Sequence, residues 1–260
     1  MTSWAAFDEE VARWRESGHG VDLWWRDDDA VEATPALDRL LDLQRATGAA
    51  LALAVVPAKA TQALADRLAS APGVDVLQHG YAHTNHASAA EKKTELGAHR
   101  PAMLVLGDLG TGWMALERLF PARALPILVP PWNRIAPMLV PALPEIGYRG
   151  LSTFGPRQRP EPVRGLRQIN THADLVDWKG CRGFAGEAVV LGQLVQALAQ
   201  ARTSATRGQS REPVGLLSHH LVMDEPGWDF LKSFMARVTM TPGIRILPAH
   251  DLFASREARA

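Results

Sequence analysis

The sequence predicts an α/β fold in which a parallel sheet forms a distorted (β/α) barrel of about seven strands. Short apolar runs bounded by turn residues alternate with amphipathic stretches along the 260 residues. Most of the runs are continuously apolar, as is typical of strands buried on both faces of a parallel sheet. The repeated β-α alternation therefore favours a parallel barrel, with a doubly wound sheet as the alternative.

Apolar runs and amphipathic stretches predict the individual elements. The predicted strands are VDLWW, ALALAVVP, VDVLQH, PILVPP, GLST, VGLLSHH and IRIL, which begin at residues 21, 50, 74, 126, 150, 214 and 244. The predicted helices are 34–47, 60–70, 89–100, 111–120, 136–146, 187–201 and 226–239.

Two of the predicted helices carry recognisable start signals. Thr34 is a suitable N-cap, Pro35 follows at the first helical position, and Gly48 is a stop. Ser88 and Glu91 have the spacing of a capping box at the start of the third predicted helix.

The composition limits the classes of function. Hydrophobic residues make up 47% of the chain, which is enough for a substantial core, and we expect one domain over residues 1–260. The 28 basic and 28 acidic residues balance, so no net field would attract nucleic acid or an anionic membrane. Cys181 is the only cysteine, which excludes an internal disulfide and a zinc cage of cysteines.

The N-terminal sequence carries acidic residues early and lacks a basic start followed by an apolar run, so it does not resemble a secretion signal. The sequence contains no run of about 18 uninterrupted apolar residues, so it predicts no membrane span. We therefore expect a cytoplasmic protein. The pattern does not indicate an oligomeric state.

Unusual polar residues follow several of the predicted strands. In a parallel barrel these strand ends lie on one face, where active sites are built, so residues distant in sequence would converge. They are Asp27, Asp28 and Asp29 after the first strand, His79, His83 and His86 after the third, Pro130, Pro131, Trp132 and Asn133 after the fourth, and His219 and His220 after a late strand.

The histidine cluster predicts a metal site. His79 and His83 are four residues apart, which in a helical turn would bring both imidazoles within reach of one ion. A carboxylate from elsewhere would complete a His₂Asp site with a position open for water. Zinc in such a site lowers the pKa of bound water to about 7. One aspartate would hold the metal while a neighbour takes the proton.

Each of these features also has a purely structural interpretation. The three aspartates could cluster at the N-terminus of the following helix, where the macrodipole favours negative charge. The paired histidines could be polar loop residues, and His219 and His220 could be one packed and one exposed ring. The sequence PPWN could be a rigid turn. Their joint placement at predicted strand ends is what favours a site.

Taken in chain order, the polar sequences at these strand ends resemble the motifs of the NodB-type polysaccharide deacetylase superfamily, carbohydrate esterase family 4. The resemblance covers roughly residues 20–250 and implies a distorted (β/α) barrel with a metal-dependent site. RDDDA resembles the first motif, Thr-Phe-Asp-Asp-Gly, which implies that Asp28 is the base and Asp29 a metal ligand. Asp27 stands at the phenylalanine position, and its role is left open, with Arg134 as a candidate partner.

The second and third motifs are matched less completely. HGYAH resembles His-Ser/Thr-x-x-His, which implies that His79 and His83 are metal ligands and leaves His86 outside the motif; Gly80 replaces the hydroxyl residue. VPPWN resembles Arg-x-Pro-x-Gly only at Pro131. Val129 stands where the family has the arginine that orients the base, and Arg26 and Arg134 are the candidates to replace it.

The fourth and fifth motifs are short. DLVDW resembles Asp-x-x-Asp-Trp, which implies that Asp177 tunes a histidine and that Trp178 lines the pocket. LSH resembles Leu-x-His, which implies that His219 is the general acid. A one-residue slip would give that role to His220 instead.

The resemblance implies a metal-dependent hydrolase of an amide C–N bond, first of all a deacetylase of an N-acetylated sugar or related carbohydrate. Its partner would then be a small-molecule or carbohydrate substrate. The cofactor would be one divalent ion, zinc. The alternatives are a non-catalytic metal- or carbohydrate-binding protein of the same fold, and a hydrolase of a formamide or cyclic amide. Candidate residues for substrate binding are Pro131, Trp132 and Trp178, and Trp24 and Trp25 are further candidates for stacking on sugar rings.

Overall fold

The computed structural model describes residues 3–254, and its centre is a curled sheet of nine strands within those residues. The sheet order is β6-β5-β4-β3-β2-β1-β8-β7, and β9 also pairs with β1. The strands are β1 (Val21–Ala30), β2 (Leu51–Val55), β3 (Val74–His79), β4 (Ala124–Val129), β5 (Gly150–Leu151), β6 (Arg167–Gln168), β7 (Ala173–Asp174), β8 (Val214–Ser218) and β9 (Ile244–Ile246).

Helices flank the sheet. They are α1 (Trp4–Glu16), α2 (Pro35–Thr47), α3 (Gln62–Ala69), α4 (Ala102–Leu119), α5 (Glu187–Thr206), α6 (Glu225–Met240) and α7 (Ala249–Phe253), with short 3₁₀ turns at Pro57–Lys59, Pro131–Asn133 and Pro137–Ala142. No helix in the part of the chain from residue 3 to 254 has both the length and the apolar character needed to cross a membrane.

Every strand pair in the described sheet is parallel, which confirms the predicted parallel (β/α) barrel. The barrel is distorted because β6 and β7 form the two ends of the sheet. These two strands have two residues each and no apolar run, which explains why the sequence predicted only the other strands.

Alternate residues of β1 face two different cores. Trp24 packs inside the barrel with residues such as Leu77, Ile127 and Phe253. Trp25 instead packs with the apolar faces of the surrounding helices. Because successive strand side chains point to opposite sides, Arg26 and Asp27 also face opposite sides of the sheet.

Two predicted helices are absent, and one structural alternative considered for the aspartates is wrong. The aspartates lie within β1 rather than at a helix N-terminus, because α2 begins later, with the Thr34 side chain accepting from the Leu37 N–H. Segment 89–100 contains no helix; Glu91 does bond to Ser88, but the pair closes a turn. Segment 136–146 forms only a 3₁₀ turn, since its prolines remove N–H donors.

The remaining helices are recovered with shifted ends. The helix predicted over 111–120 begins at Ala102, and the helix predicted over 187–201 continues to Thr206. Helix α1 was not predicted from the sequence. Its apolar face packs on the outer core through Phe7, Val11 and Trp14.

Two glycines offer a test of the packing. A Cβ at Gly215 on β8 would lie 2.4 Å from Trp24 Nε1 and 2.8 Å from the carbonyl oxygen of Asn170, whereas a Cβ at Gly107 in α4 would meet nothing within 4 Å. We expect Gly215→Ala to destabilise the protein by roughly 1–3 kcal/mol. Gly107→Ala should stabilise it by about 0.5–1 kcal/mol because alanine favours helix.

The measurement is urea unfolding of both variants beside the wild type. Equal midpoints for the two variants would contradict the close approach of β8 to the residues inside the barrel.

Candidate metal and active site

One carboxylate and two imidazoles meet where β1 and β3 end. Asp29 Oδ1 lies 3.0 Å from His79 Nε2 and 3.2 Å from His83 Nε2. One ligand atom from each residue lies within 4.8 Å of the others, so the three residues could hold one metal ion. Two imidazoles and a carboxylate with an open side form a donor set typical of catalytic zinc sites.

The protonation of His79 supports this interpretation. Its Nδ1 lies 3.1 Å from the carbonyl oxygen of Val129, which can only accept, so Nδ1 carries the proton. In a neutral ring the lone pair of Nε2 then faces Asp29 Oδ1, and two acceptors at that distance require a proton or a cation nearby. Such a hydrogen bond from the second nitrogen is the usual support of a ligating histidine.

The ionisation of the three groups is strongly coupled. Burial alone would raise the pKa of Asp29, but the hydrogen bond and positive charge of His79, with the charges of His219 and His83, lower that pKa well below its usual range. Burial would lower the pKa of His79, yet the negative charges of Asp28 and Asp29 raise it. Burial and the neighbouring charge of His79 lower the pKa of His83. The site therefore favours a negative carboxylate facing positive charge.

Backbone strain is concentrated around the same point. Five non-glycine residues of the described chain have positive φ, and four of them lie here. They are Asp29 (φ 74°), His83 (φ 55°), Trp132 (φ 55°) and Asn133 (φ 57°). Strained conformations of this kind cost about 1–3 kcal/mol each and cluster at functional sites.

The loop that carries His83 is held by a residue that the sequence did not indicate. Glu95 is buried, and its carboxylate accepts hydrogen bonds from the backbone N–H groups of Tyr81 (3.0 Å), Ala82 (2.7 Å) and Thr84 (3.4 Å). The predicted helical turn around the two histidines is absent, so Glu95 positions the loop instead. Its place inside a wrongly predicted helix gave no sequence signal for this role.

Glu95 also explains the glycine in the second motif. Gly80 has φ 57°, and a Cβ there would lie 2.1 Å from Glu95 Oε2 and 2.5 Å from Pro131 Cγ. The carboxylate of Glu95 and the ring of Pro131 thus occupy the space that a hydroxyl side chain at this position would need.

Asp28 is held by Arg26 from two residues earlier on the same strand. Arg26 Nη2 donates to Asp28 Oδ2 at 2.9 Å, and Arg26 Nε lies 2.9 Å from Oδ1. The guanidinium also donates to Ser152 Oγ at 2.6 Å and to Asn133 Oδ1 at 2.7 Å. Arg134, the other candidate partner, donates to the carbonyl oxygen of Lys93 at the surface.

Val129 and Asn133, the two departures in the third motif, are therefore connected. Arg26 supplies the guanidinium that Val129 lacks, and Asn133, at the glycine position, accepts one of its hydrogen bonds. Because β1 and β5 lie on different parts of the sheet, the bond from Arg26 to Ser152 crosses the barrel interior.

His219 faces the site, and His220 does not. The His219 ring meets the edge of Trp178 at a centroid distance of 4.7 Å, and its Nδ1 lies 3.9 Å from Asp174 Oδ1. His220 is fully buried, with Nδ1 2.5 Å from Asp27 Oδ1. Asp27 therefore pairs with His220, and the suggested contact with Arg134 is wrong.

The geometry does not support the role predicted for Asp177. Its carboxylate accepts from the backbone N–H groups of Lys179 at 3.2 Å and Gly180 at 3.0 Å, which closes a loop. Asp174 is the carboxylate beside His219, because β7 ends at Asp174 and leaves it at the barrel face. Burial raises the pKa of Asp174.

The aromatic candidates divide into two groups. Trp132 packs on His83 at a ring-centroid distance of 4.3 Å, and Trp178 is 44% exposed beside His219. Both can contact a ligand. Trp24 and Trp25 are 1% exposed and bond within the core, so they are unavailable for stacking.

Two other predicted residues lie beside the triad rather than in it. Pro131 is buried near Gly80. His86 Nε2 lies 3.3 Å from an Arg100 nitrogen, and His86 is not one of the three clustered ligands.

The sequence matches no protein-family model and no curated protein. Solved structures do resemble it. A protein from Mycobacterium smegmatis, provisionally described as a polysaccharide deacetylase, has a TM-score of 0.64 at 17% identity, over 93% of this chain and 92% of that one.

Two further structures have similar folds. A family 4 acetyl xylan esterase from Clostridium thermocellum, in complex with a cobalt ion, gives a TM-score of 0.52 at 13% identity over 89% of this chain and 90% of its own. A mutant of a CE4 family pseudoenzyme with restored enzymatic activity has a TM-score of 0.57 at 14% identity, over 92% of this chain and 69% of that one. The chain thus has the fold of the NodB-type polysaccharide deacetylases and esterases of carbohydrate esterase family 4.

Proposed function

We propose that this protein is a metal-dependent hydrolase of an amide C–N bond, acting as a deacetylase on an N-acetylated sugar or related carbohydrate. The observation that carries the proposal is the convergence of three groups at one edge of the sheet: the Asp29–His79–His83 triad, the paired Asp28 carboxylate and the His219 imidazole. A site that only bound a metal would need neither Asp28 nor His219.

Asp29, His79 and His83 would hold one divalent ion, and we propose zinc because two imidazoles with one carboxylate suit it. Such an ion supplies Lewis acidity toward an amide carbonyl and toward water. The Val129 carbonyl keeps His79 Nε2 free to ligate, and Glu95 fixes the loop of His83.

The chain's own residues would move the protons. Asp28 would remove the proton from the attacking water. Arg26 donates a hydrogen bond to its Oδ2 and lies 2.9 Å from its Oδ1, which would keep the carboxylate in one orientation. His219, beside Asp174, would give a proton to the leaving amine. The backbone N–H of Trp132 is the proposed donor to the developing oxyanion.

The sugar assignment is supported by two aromatic surfaces beside these groups. Trp132 lies against His83, and Trp178 lies against His219 with much of its ring exposed. A pyranose ring has an apolar face that packs on such surfaces. A formamide or cyclic amide would use the same catalytic groups without needing Trp178, so substrate comparison with Trp178→Ala separates the two.

The metal proposal predicts that Asp29→Ala and His83→Ala lose bound metal and turnover together, because each removes one of three ligands. Metal content of the purified proteins by mass spectrometry, beside deacetylation rates, checks this. His86→Ala is the matched control and should keep both, since His86 lies outside the triad. Full metal content in either ligand variant would contradict the site.

The base assignment predicts that Asp28→Asn keeps its metal but loses about 10²–10⁴-fold in kcat, because the amide cannot accept the proton. The measurement is initial-rate kinetics on N-acetylated chito-oligosaccharides with metal content determined in parallel. Wild-type turnover in Asp28→Asn would show that another group is the base.

The position of Arg26 predicts that Arg26→Lys lowers kcat by roughly 10–100-fold with metal content unchanged, because lysine keeps the charge but cannot fix both oxygens of Asp28. Arg134→Lys is the control and should have no effect. Undiminished turnover in Arg26→Lys would exclude the role.

A further inference from the structure

The first aspartate of the run, Asp27, does not take part in the chemistry proposed above. Its side chain is fully buried and lies on the opposite face of β1 from Arg26. A buried carboxylate is costly unless it is hydrogen-bonded or paired. Its partners therefore indicate why a central strand carries it.

The donors to Asp27 come from the two residues that flank His219. Ser218 Oγ donates to Oδ2 at 2.6 Å, and the backbone N–H of His220 donates to the same oxygen at 3.0 Å. His220 Nδ1 donates to Oδ1 at 2.5 Å. Ser218 in turn accepts from Trp25 Nε1 at 2.9 Å, so its hydroxyl has a single orientation.

This arrangement follows from the register of the sheet. Asp27 is the parallel partner of Ser218, where β8 ends and its last N–H groups leave the ladder. The carboxylate accepts the N–H of His220 at that point. Hydrogen bonds to a carboxylate are shorter and about twice as strong as neutral ones, so this end of β8 is firmly held.

The other side of His219 is fixed as well. Its carbonyl oxygen accepts from the N–H groups of Val222 at 3.0 Å and Met223 at 3.1 Å, which closes a tight turn. The His219 ring meets the edge of Trp178, and its Nδ1 lies 3.9 Å from Asp174 Oδ1, beyond hydrogen-bond distance. The hydrogen-bonded backbone on both sides of His219 therefore contributes to where its imidazole lies.

We propose that Asp27 and His220 form a positioning pair for His219. The inference rests on the proposed function, in which His219 protonates the leaving amine. The three consecutive aspartates of β1 then support three separate parts of the site: Asp29 the metal, Asp28 the base and Asp27 the acid.

A positioning role has a kinetic signature that a purely structural role lacks. If the pair only stabilised the fold, its loss would affect all substrates alike. If it places a proton donor, its loss will matter for an acetamide, whose amine must be protonated to leave. It will matter little for 4-nitrophenyl acetate, whose leaving group departs as an anion.

The experiment compares His220→Leu with His220→Asn in the metal-loaded protein. We expect His220→Leu to lower kcat on an N-acetylated chito-oligosaccharide by about 10-fold or more, with KM and metal content unchanged, and to alter 4-nitrophenyl acetate hydrolysis by less than about twofold. His220→Asn should restore most of the rate, because its Nδ2 can replace Nδ1 as donor to Asp27. If His220→Leu does not fold, His220→Gln is used.

The chain offers a more exposed control pair. Asp75 and His250 form the same kind of pair, with Nδ1 to Oδ2 at 2.9 Å, near the start of β3 and away from the site. His250→Leu should change neither reaction. A double variant His219→Ala/His220→Leu should be no slower than His219→Ala alone, because the pair would act only through His219.

Equal losses on both substrates, loss of metal in His220→Leu, or an additive double variant would overturn the positioning role. Unchanged acetamide hydrolysis in His219→Ala would instead overturn the proposed general acid. If the wild type hydrolyses neither substrate, the proposed function fails, and the pair is then tested by ¹⁵N NMR of the histidine rings. An unchanged His219 signal in His220→Leu would overturn the pair.

Discussion

A buried strand can carry consecutive charges only if every charge finds a partner, and this constraint organises the site. The strand β1 contains Arg26 and the three aspartates in sequence, and the first three of these residues are almost completely buried. Each charge is compensated from a different direction: Asp28 by Arg26, Asp27 by His220, and Asp29 by two imidazoles. Removing one partner from a buried pair is strongly destabilising, so the charges of β1 and their partners stabilise each other.

Two positions of the site that depart from the motifs described above have their surroundings filled by residues from elsewhere in the chain. Arg26 reaches Asp28 from the same strand, and Asn133 supports it from the turn after β4. Glu95 fills the space beside Gly80 and accepts hydrogen bonds from backbone amides of the loop that carries His83. In both cases the contact comes from outside the motif, so a comparison of the motif position by position does not detect it.

The sequence predicts what depends on local patterns. Continuous apolar runs located the long strands, and the polar residues after them located the triad, because parallel strands end at one face. Contacts between segments that are distant in sequence could not be predicted from local patterns. The pairing of Asp27 with His220, 193 residues apart, depends on the register of the sheet. No local pattern distinguishes Glu95 from other acidic residues, because its contacts form only when the loop around residue 81 folds onto it. Asp174 rather than Asp177 lies beside His219 because the two-residue strand β7 ends at Asp174.

The pairing of β1 with β8 and β9 has a consequence for synthesis. Ser218 and His220, the partners of Asp27, are synthesised about 190 residues after it. At roughly 5–20 residues per second, this delay lasts about 10–40 seconds. During that time β1 lacks β8 as a neighbour and Asp27 lacks its hydrogen-bond partners, so this part of the sheet is completed only after β8 has been made. Such long-range closure is slow and exposes the growing chain to aggregation, which makes β1 a natural segment for chaperone protection.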